Sequence, residues 1–203
     1  MKFKYFEQPE KFAHFIEEKT HCSICEESKR CFDATAFYGE ESIHAICSDC
    51  LANGKLKSYA ITTCEGDTEE LSRQLKTLSP ALASNEIADI VREKTEELEK
   101  TTPQLISWQD WNWPCADGDY CSFIGYGSKA LYNRLDKNND GAWTFQLSLY
   151  YTVKDEEDAD ELWDEYMPAK AIKSYEESTE YDTLFYVFKS LISNQIVTIW
   201  DAS

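Results

Sequence analysis

The sequence predicts an α+β fold with an N-terminal zinc-knuckle module, central helices, and C-terminal mixed strands carrying an acidic helix. Three observations predict it. Two Cys-x-x-Cys pairs, Cys22/Cys25 and Cys47/Cys50, stand 21 residues apart. Leucines at helical spacing follow from residue 67. Alternating apolar residues close the chain. Strands and helices are segregated along the sequence and do not strictly alternate, which is the α+β pattern. The expected division is a zinc-binding module over 1–62, a helical and Trp-rich segment over 63–128, and an α+β part over 129–203, all docked as one compact unit.

The first twenty residues carry Phe3, Tyr5, Phe6, Phe12, Phe15 and Ile16, enough apolar surface to pack onto the rest of the chain. Within the cysteine module, Thr35-Ala36-Phe37-Tyr38 reads as a short strand. Two helices come next. In the first, Asp67 is a candidate cap, Leu71, Leu75, Leu78 and Leu82 lie at helical spacing, and Pro80 limits the regular part. In the second, Ser84 is the candidate cap, Ile87, Ile90, Val91 and Leu98 share a face, and Lys94 and Lys100 favour the C-terminal end. Pro103 marks the exit. A segment with Trp108, Trp111 and Trp113 leads to Pro114-Cys115-Ala116-Asp117. Residues 145–150 alternate as a half-buried strand does. Residues 156–167 read as an acidic helix that Pro168 ends. Leu184–Leu191 and Ile196–Trp200 read as a hairpin over Ser193-Asn194-Gln195.

Composition narrows the chemistry. The 203 residues hold 38 acidic against 20 basic side chains, a net charge of −18. Phosphate backbones repel such a surface, so direct nucleic-acid binding is not expected. Aromatics make up 14% of the chain, which argues against disorder. No run of 18 apolar residues is present, so no membrane span is expected. The first residues, Lys2 to Glu7, lack the apolar stretch of a signal peptide, and a cytosolic protein is expected.

In the cytosol thiols stay reduced, so close cysteine pairs point to metal. A two-residue gap lets both thiolates of a knuckle reach one ion, and two knuckles complete a tetrahedral four-sulfur shell. The expected ligands are Cys22, Cys25, Cys47 and Cys50, holding one structural zinc. An iron–sulfur cluster or reversible disulfides are the alternatives. His21 and His44 stand near enough to replace a ligand. Cys31 and Cys64 read as small buried hydrophobes.

Asp136-Lys137-Asn138-Asn139-Asp140-Gly141 copies the first half of a calcium loop. Its twelfth position is Leu147 where a bidentate Glu is needed, so the segment reads as a polar turn before a strand. From Asp155 to Glu165, eight of eleven residues are acidic, with Trp163 and Tyr166 among them. The plain reading is a solvated helix face. The functional reading is a surface for a basic partner formed by Asp158, Glu161, Trp163, Asp164, Glu165 and Tyr166. No phosphate loop, nucleophile elbow or hydrolytic constellation is recognisable, so an enzyme is not expected.

Three stretches resemble the CbrC family, a group of small bacterial proteins. They are the paired knuckles with Ala45 through Gly54; Thr102-Pro103, Trp108-Gln109, Trp113 through Asp117 and Cys121-Ser122-Phe123-Ile124-Gly125; and the ending Phe188 through Asn194, then Trp200-Asp201-Ala202-Ser203. The middle stretch is the most distinctive, and residues 131–183 match least. That family usually ends in a C-x-x-C pair followed by Gly, where this chain has Ser190, Ser193 and Asn194. In relatives such a pair can join cysteines like Cys115 and Cys121 in a second metal site. The departure implies that Cys115 and Cys121 do not hold zinc here. The family name is linked to colicin tolerance, so the resemblance implies protection against such toxins. A toxin nuclease must hold phosphates and is basic, so the expectation is a cytosolic immunity protein that neutralises a toxin domain, an RNase favoured. The alternative is a zinc-stabilised adaptor or stress-response protein.

Overall fold

A computed structural model describes residues 2–109, 111–136, 140–151 and 156–202, and the fold is α+β. Its first residues are sewn to a strand more than a hundred positions away: the Phe123 N–H donates to the Tyr5 carbonyl and the Glu7 N–H to the Phe123 carbonyl, both at 2.8 Å. Phe3, Tyr5, Phe6 and Phe12 are all buried, the last on the one-turn helix α1 (Pro9–Phe12).

The cysteine module is built from very short pieces. β1 (Thr20–His21) pairs with β2 (Ser28–Lys29), and β3 (Cys31–Asp33) pairs antiparallel with β5 (Ala45–Cys47); between them lies β4 (Tyr38–Gly39). Helix α2 (Ser48–Ala52) follows directly on β5, and β4 is paired by β6 (Ile61–Thr62). The strand expected over 35–38 is therefore corrected. Asp33 Oδ1 accepts from both the Thr35 N–H (2.9 Å) and the Thr35 hydroxyl (2.7 Å), which turns the chain before the strand begins. Gly39 runs at φ 144° against Ala60, whose carbonyl leaves no space for a Cβ.

The two central helices form as their patterns predict. α3 (Thr68–Leu78) starts on Asp67, whose Oδ1 accepts the Glu70 N–H at 3.0 Å. α4 (Ser84–Thr101) is capped one residue earlier than expected, at Ala83, whose N–H is taken by Glu86 Oε2 at 2.8 Å. Leu71, Leu75, Ile87 and Leu98 are buried. The two lysines read as serving the helix end have specific partners instead: Lys100 donates to the carbonyls of Tyr59 and Ile61, and Lys94 meets Asp119 at 2.7 Å.

The Trp-rich segment leads into a tight hairpin of β7 (Cys115–Ala116) and β8 (Asp119–Tyr120). Asp117 and Gly118 both have positive φ, 57° and 78°, as a two-residue turn of this twist requires. β9 (Ser122–Tyr126) then enters a three-stranded antiparallel sheet. α5 (Lys129–Leu135), α6 (Gly141–Ser148), α7 (Glu156–Glu161) and α8 (Tyr175–Ser178) precede its other strands, β10 (Thr183–Lys189) and β11 (Ile196–Ala202), which form the expected hairpin; the order is β11-β10-β9. β10 is buried on both faces. Tyr186 and Phe188 point into a large core shared with the cysteine module and α3–α4, while Phe185 and Val187 point into a second core with Tyr132, Phe145 and Leu162.

Most of the strand expected over 145–150 is helix, which runs to Ser148, and Leu149 then makes a single bridge to Thr198. Asp140 accepts the Trp143 N–H at 3.1 Å and starts α6, which buries Gly141, Phe145 and Ser148, at helical spacing. The apolar/polar alternation of Phe145 to Tyr150 misleads because Leu147 is left 64% exposed on the outward face. Of the calcium-like segment, residues 137–139 lie outside the described residues; Asp136 accepts from the Thr144 hydroxyl at 2.9 Å, and the turn leads into the helix. The acidic helix changes winding partway: after α7, Leu162–Tyr166 forms a π turn, closed by the Met167 N–H on the Leu162 carbonyl at 2.9 Å.

Asp119 joins three distant parts of the chain. It meets Lys94 at 2.7 Å and Lys4 at 3.5 Å, and accepts from the Tyr5 hydroxyl at 3.2 Å. Burial opposes its ionisation, but the Lys94 hydrogen bond and the Lys4 charge outweigh that and hold its carboxyl below the usual range. A depressed folded-state pKa gives stability that is present above the unfolded value and lost as pH falls through the folded one. Asp119→Asn is expected to cost about 2 kcal/mol at pH 7. It should also flatten the acid limb of the stability profile below about pH 4, as followed by urea unfolding at a series of pH values.

Candidate metal centre

Each cysteine pair is presented by a different local device. Cys22 and Cys25 occupy the turn between β1 and β2. Glu26, at φ 61°, closes it, its N–H donating to the Cys22 carbonyl at 2.8 Å. Cys47 ends β5 and caps α2, which places Cys50 in the first helical turn. The pairing of β3 with β5 sets Cys31 opposite Cys47, and the Cys47 N–H points at Cys22 Sγ at 3.3 Å.

The four Sγ atoms of Cys22, Cys25, Cys47 and Cys50 all lie within 4.8 Å of one another, and Cys25 and Cys47 are 3.9 Å apart. A tetrahedron on zinc–sulfur bonds of about 2.3 Å has edges of about 3.8 Å, so the thiols present fit one such ion. They are too close to enclose a multi-iron cluster, and 3.9 Å is far from a disulfide bond of about 2.05 Å. A closed four-thiolate shell leaves no position for water or substrate. Cys22, Cys47 and Cys50 are buried and Cys25 is exposed.

The backbone already favours a thiolate at Cys22. Burial pushes its pKa up, but N–H groups from Cys25, Cys47 and Ile24 outweigh that and bring it down to about 7. Burial raises Cys50 and Cys47. A bound cation would favour the ionised form of both. Cys31 stands beside the cluster without joining it. Burial first, and the neighbouring cysteine charges second, push it up to about 11, and its Sγ faces the Lys29 carbonyl at 3.7 Å. Among the described residues no histidine joins the group. His14 faces Asp33 at 3.8 Å, and His21 and His44 are exposed. Cys64, read as buried, is half-buried against the main core.

The other cysteines have different surroundings. Cys121 is buried. Cys115 Sγ faces the Tyr150 hydroxyl at 3.5 Å, and burial, against that contact, pushes its thiol up to about 12. Tyr150 also donates to Asp67 Oδ2 at 2.9 Å. This Asp67–Tyr150–Cys115 contact was not legible in the sequence, since its parts are up to 83 positions apart. Ser190 and Ser193, which stand where the resembled family carries cysteines, both donate to Asp117 Oδ2, at 2.6 and 2.5 Å.

The acidic segment is split by its packing. Asp155 lies outside the described residues. Asp158 is half-buried; Glu161, Asp164, Glu165 and Tyr166 are exposed. Trp163 turns inward, its ring 5.8 Å from both Tyr132 and Phe145, with Lys129 Nζ 5.7 Å over it. Of the two aromatic residues, Trp163 is half-buried and Tyr166 is exposed.

The model of a family described as an uncharacterised protein family, UPF0167, matches residues 1–201. No solved structure matches the chain. No helix among the described residues is long and apolar enough to cross a membrane.

Proposed function

The chain belongs to the UPF0167 family, and we propose that it is a cytosolic, non-enzymatic immunity protein that binds and neutralises a basic toxin nuclease domain, with one structural zinc holding its N-terminal module. The observation that carries the binding reading is charge. A folded chain of net −18 presents Glu161, Asp164, Glu165 and Tyr166 together at a π turn. A nuclease that grips phosphates is basic, and an acidic partner is steered to it and covers its cleft. The resemblance to the CbrC family supplies the link to toxins. The closed metal shell and the neutral, buried Cys115 support the non-enzymatic reading. Zinc stabilises the scaffold and takes no part in chemistry.

Purification of the tagged protein from its host at low salt, with co-purifying proteins identified by mass, is the test. A stoichiometric basic partner with a nuclease-like domain is the expected result; recovery of the protein alone overturns the reading. Asp164→Lys with Glu165→Lys is expected to slow association about tenfold and weaken protection, with the melting temperature unchanged. Rising salt should slow association in the same way. Protection that survives this double reversal would show the surface to lie elsewhere. The inward turn of Trp163 favours a second reading, a zinc-stabilised adaptor whose acidic face is only solvated, and a large housekeeping complex in place of a toxin would select it.

A further inference from the structure

The exposed apolar side chains are not scattered. Leu78 is 58% exposed, Leu147 64% and Tyr151 46%, and all three line one open groove of about 630 Å³ between the end of α3 and the end of α6. Trp143, 54% exposed, stands one turn before Leu147 on the same helix face. A further exposed pair, Leu191 and Ile192, sits in the turn that Ser190 and Ser193 tie to Asp117, itself a wall of the groove. α6 already buries Phe145 and Ser148, so its outward Trp143 and Leu147 add nothing to the core. Isolated exposed leucines are ordinary, but clustered ones mark an interaction site.

The groove's charged lining is net acidic. It contains Asp67, Glu70 and Asp117 against a single cation, Arg73. Arg73 and Glu70 offset each other, through Nε at 2.5 Å and Nη2 at 2.6 Å, which leaves Asp67 and Asp117 as the acidic floor. Asp67 takes the Tyr150 hydroxyl and the Glu70 N–H, one bond on each oxygen, and each oxygen keeps a further lone pair.

The geometry points to this groove as the docking site for a segment of a basic protein that presents an Arg or Lys between apolar side chains, the cation meeting the acidic floor and the apolar groups the rim of Leu78, Leu147 and Tyr151. An anion is repelled by that floor. A second copy of this chain, also −18, is repelled by the whole surface. The inference rests on the reading that the partner is basic, and it divides the work between two surfaces. Glu161, Asp164 and Glu165 steer the encounter, and the groove holds the complex once formed.

The test uses synthetic peptides against the full-length chain: alternating Lys-Leu, Lys-Ser and Glu-Leu of equal length, with rates read by surface plasmon resonance. Lys-Leu is expected to bind at least about tenfold more tightly than either control. The double variant Leu78→Ser with Leu147→Ser should speed its dissociation about tenfold. Both residues are exposed, so the melting temperature should hold. Asp164→Lys with Glu165→Lys should change the association rate alone. No Lys-Leu binding, equal binding of Lys-Ser, or unchanged dissociation from the leucine variant overturns the groove. So does sedimentation showing a dimer that the leucine variant abolishes, because the occupant is then a second copy. Failure to find a toxin partner in the host leaves the peptide result standing, so the two readings fail separately.

Discussion

Cys47→Ser is expected to lose the metal and cost more than about 4 kcal/mol, the range reached by loss of a structural metal, seen as insoluble protein or a collapsed urea midpoint. Cys47 does three things in one position. It ends β5, it opens α2, and its N–H supports Cys22 Sγ at 3.3 Å. Its own sulfur lies 3.9 Å from Cys25. The strands around it are two or three residues long, too short to persist without an added staple. A serine hydroxyl does not ionise to complete the shell, so the remaining three thiols would not retain an ion, and the knuckles would be joined by hydrogen bonds such as Ser23 N–H to the Ala45 carbonyl at 2.9 Å without a metal between them. Cys31→Ser is the matched control. Cys31 is as buried but faces backbone carbonyls, so its replacement should cost about 1–2 kcal/mol and leave the zinc content unchanged.

Trp113→Ala is the second large effect, expected at about 3–5 kcal/mol by denaturant unfolding. Trp113 has no exposed surface, and its ring meets Phe188 edge-on at 5.1 Å. Its indole N–H donates to the Cys121 carbonyl at 2.8 Å, and its backbone N–H donates to Glu65 at 2.6 Å, bridging to the segment that opens α3. Truncation opens a cavity where the central sheet, the hairpin of β7 and β8, and the approach to α3 converge, and it strands a buried carbonyl. Trp143→Ala removes a ring of the same size from an exposed site and should change stability by less than about 0.5 kcal/mol. The contrast between the two tryptophans separates core from surface without reference to the metal.

Features whose determinants are local were legible in the sequence. The two C-x-x-C pairs fix the geometry of each knuckle by spacing alone. Asp67, Ser84 and the apolar periodicity place α3 and α4 within a residue of their observed starts. The β10–β11 hairpin follows from two apolar runs and a polar turn. What failed depended on tertiary context. Phe145 to Tyr150 alternates well enough for a strand, and only Asp140 capping Trp143, with Asn133 holding the Gly141 N–H at 3.0 Å, makes it a helix. Its outward Leu147 disguises the period, because an exposed leucine reads as a core position. Trp163 reads as a surface anchor because its sequence neighbours are carboxylates, yet the π turn delivers it to Tyr132 and Phe145. The groove has no signature in the sequence, since Asp67, Cys115 and Leu147 share no sequence neighbourhood and come together only in the folded chain, around Tyr150.

The same distinction separates the candidate metal centre from the proposed partner surface. Four thiols within 4.8 Å of one another are a chemical statement about one site. A net charge of −18 is a statement about the whole surface, and it selects the sign of a partner before it selects a contact.

The most direct test of the structural zinc is the metal content of full-length protein purified without chelator, by inductively coupled plasma mass spectrometry alongside circular dichroism. The expected result is about one zinc per chain and loss of folded signal when a strong chelator removes it. A metal-free protein with native spectra and an undiminished melting temperature would contradict it.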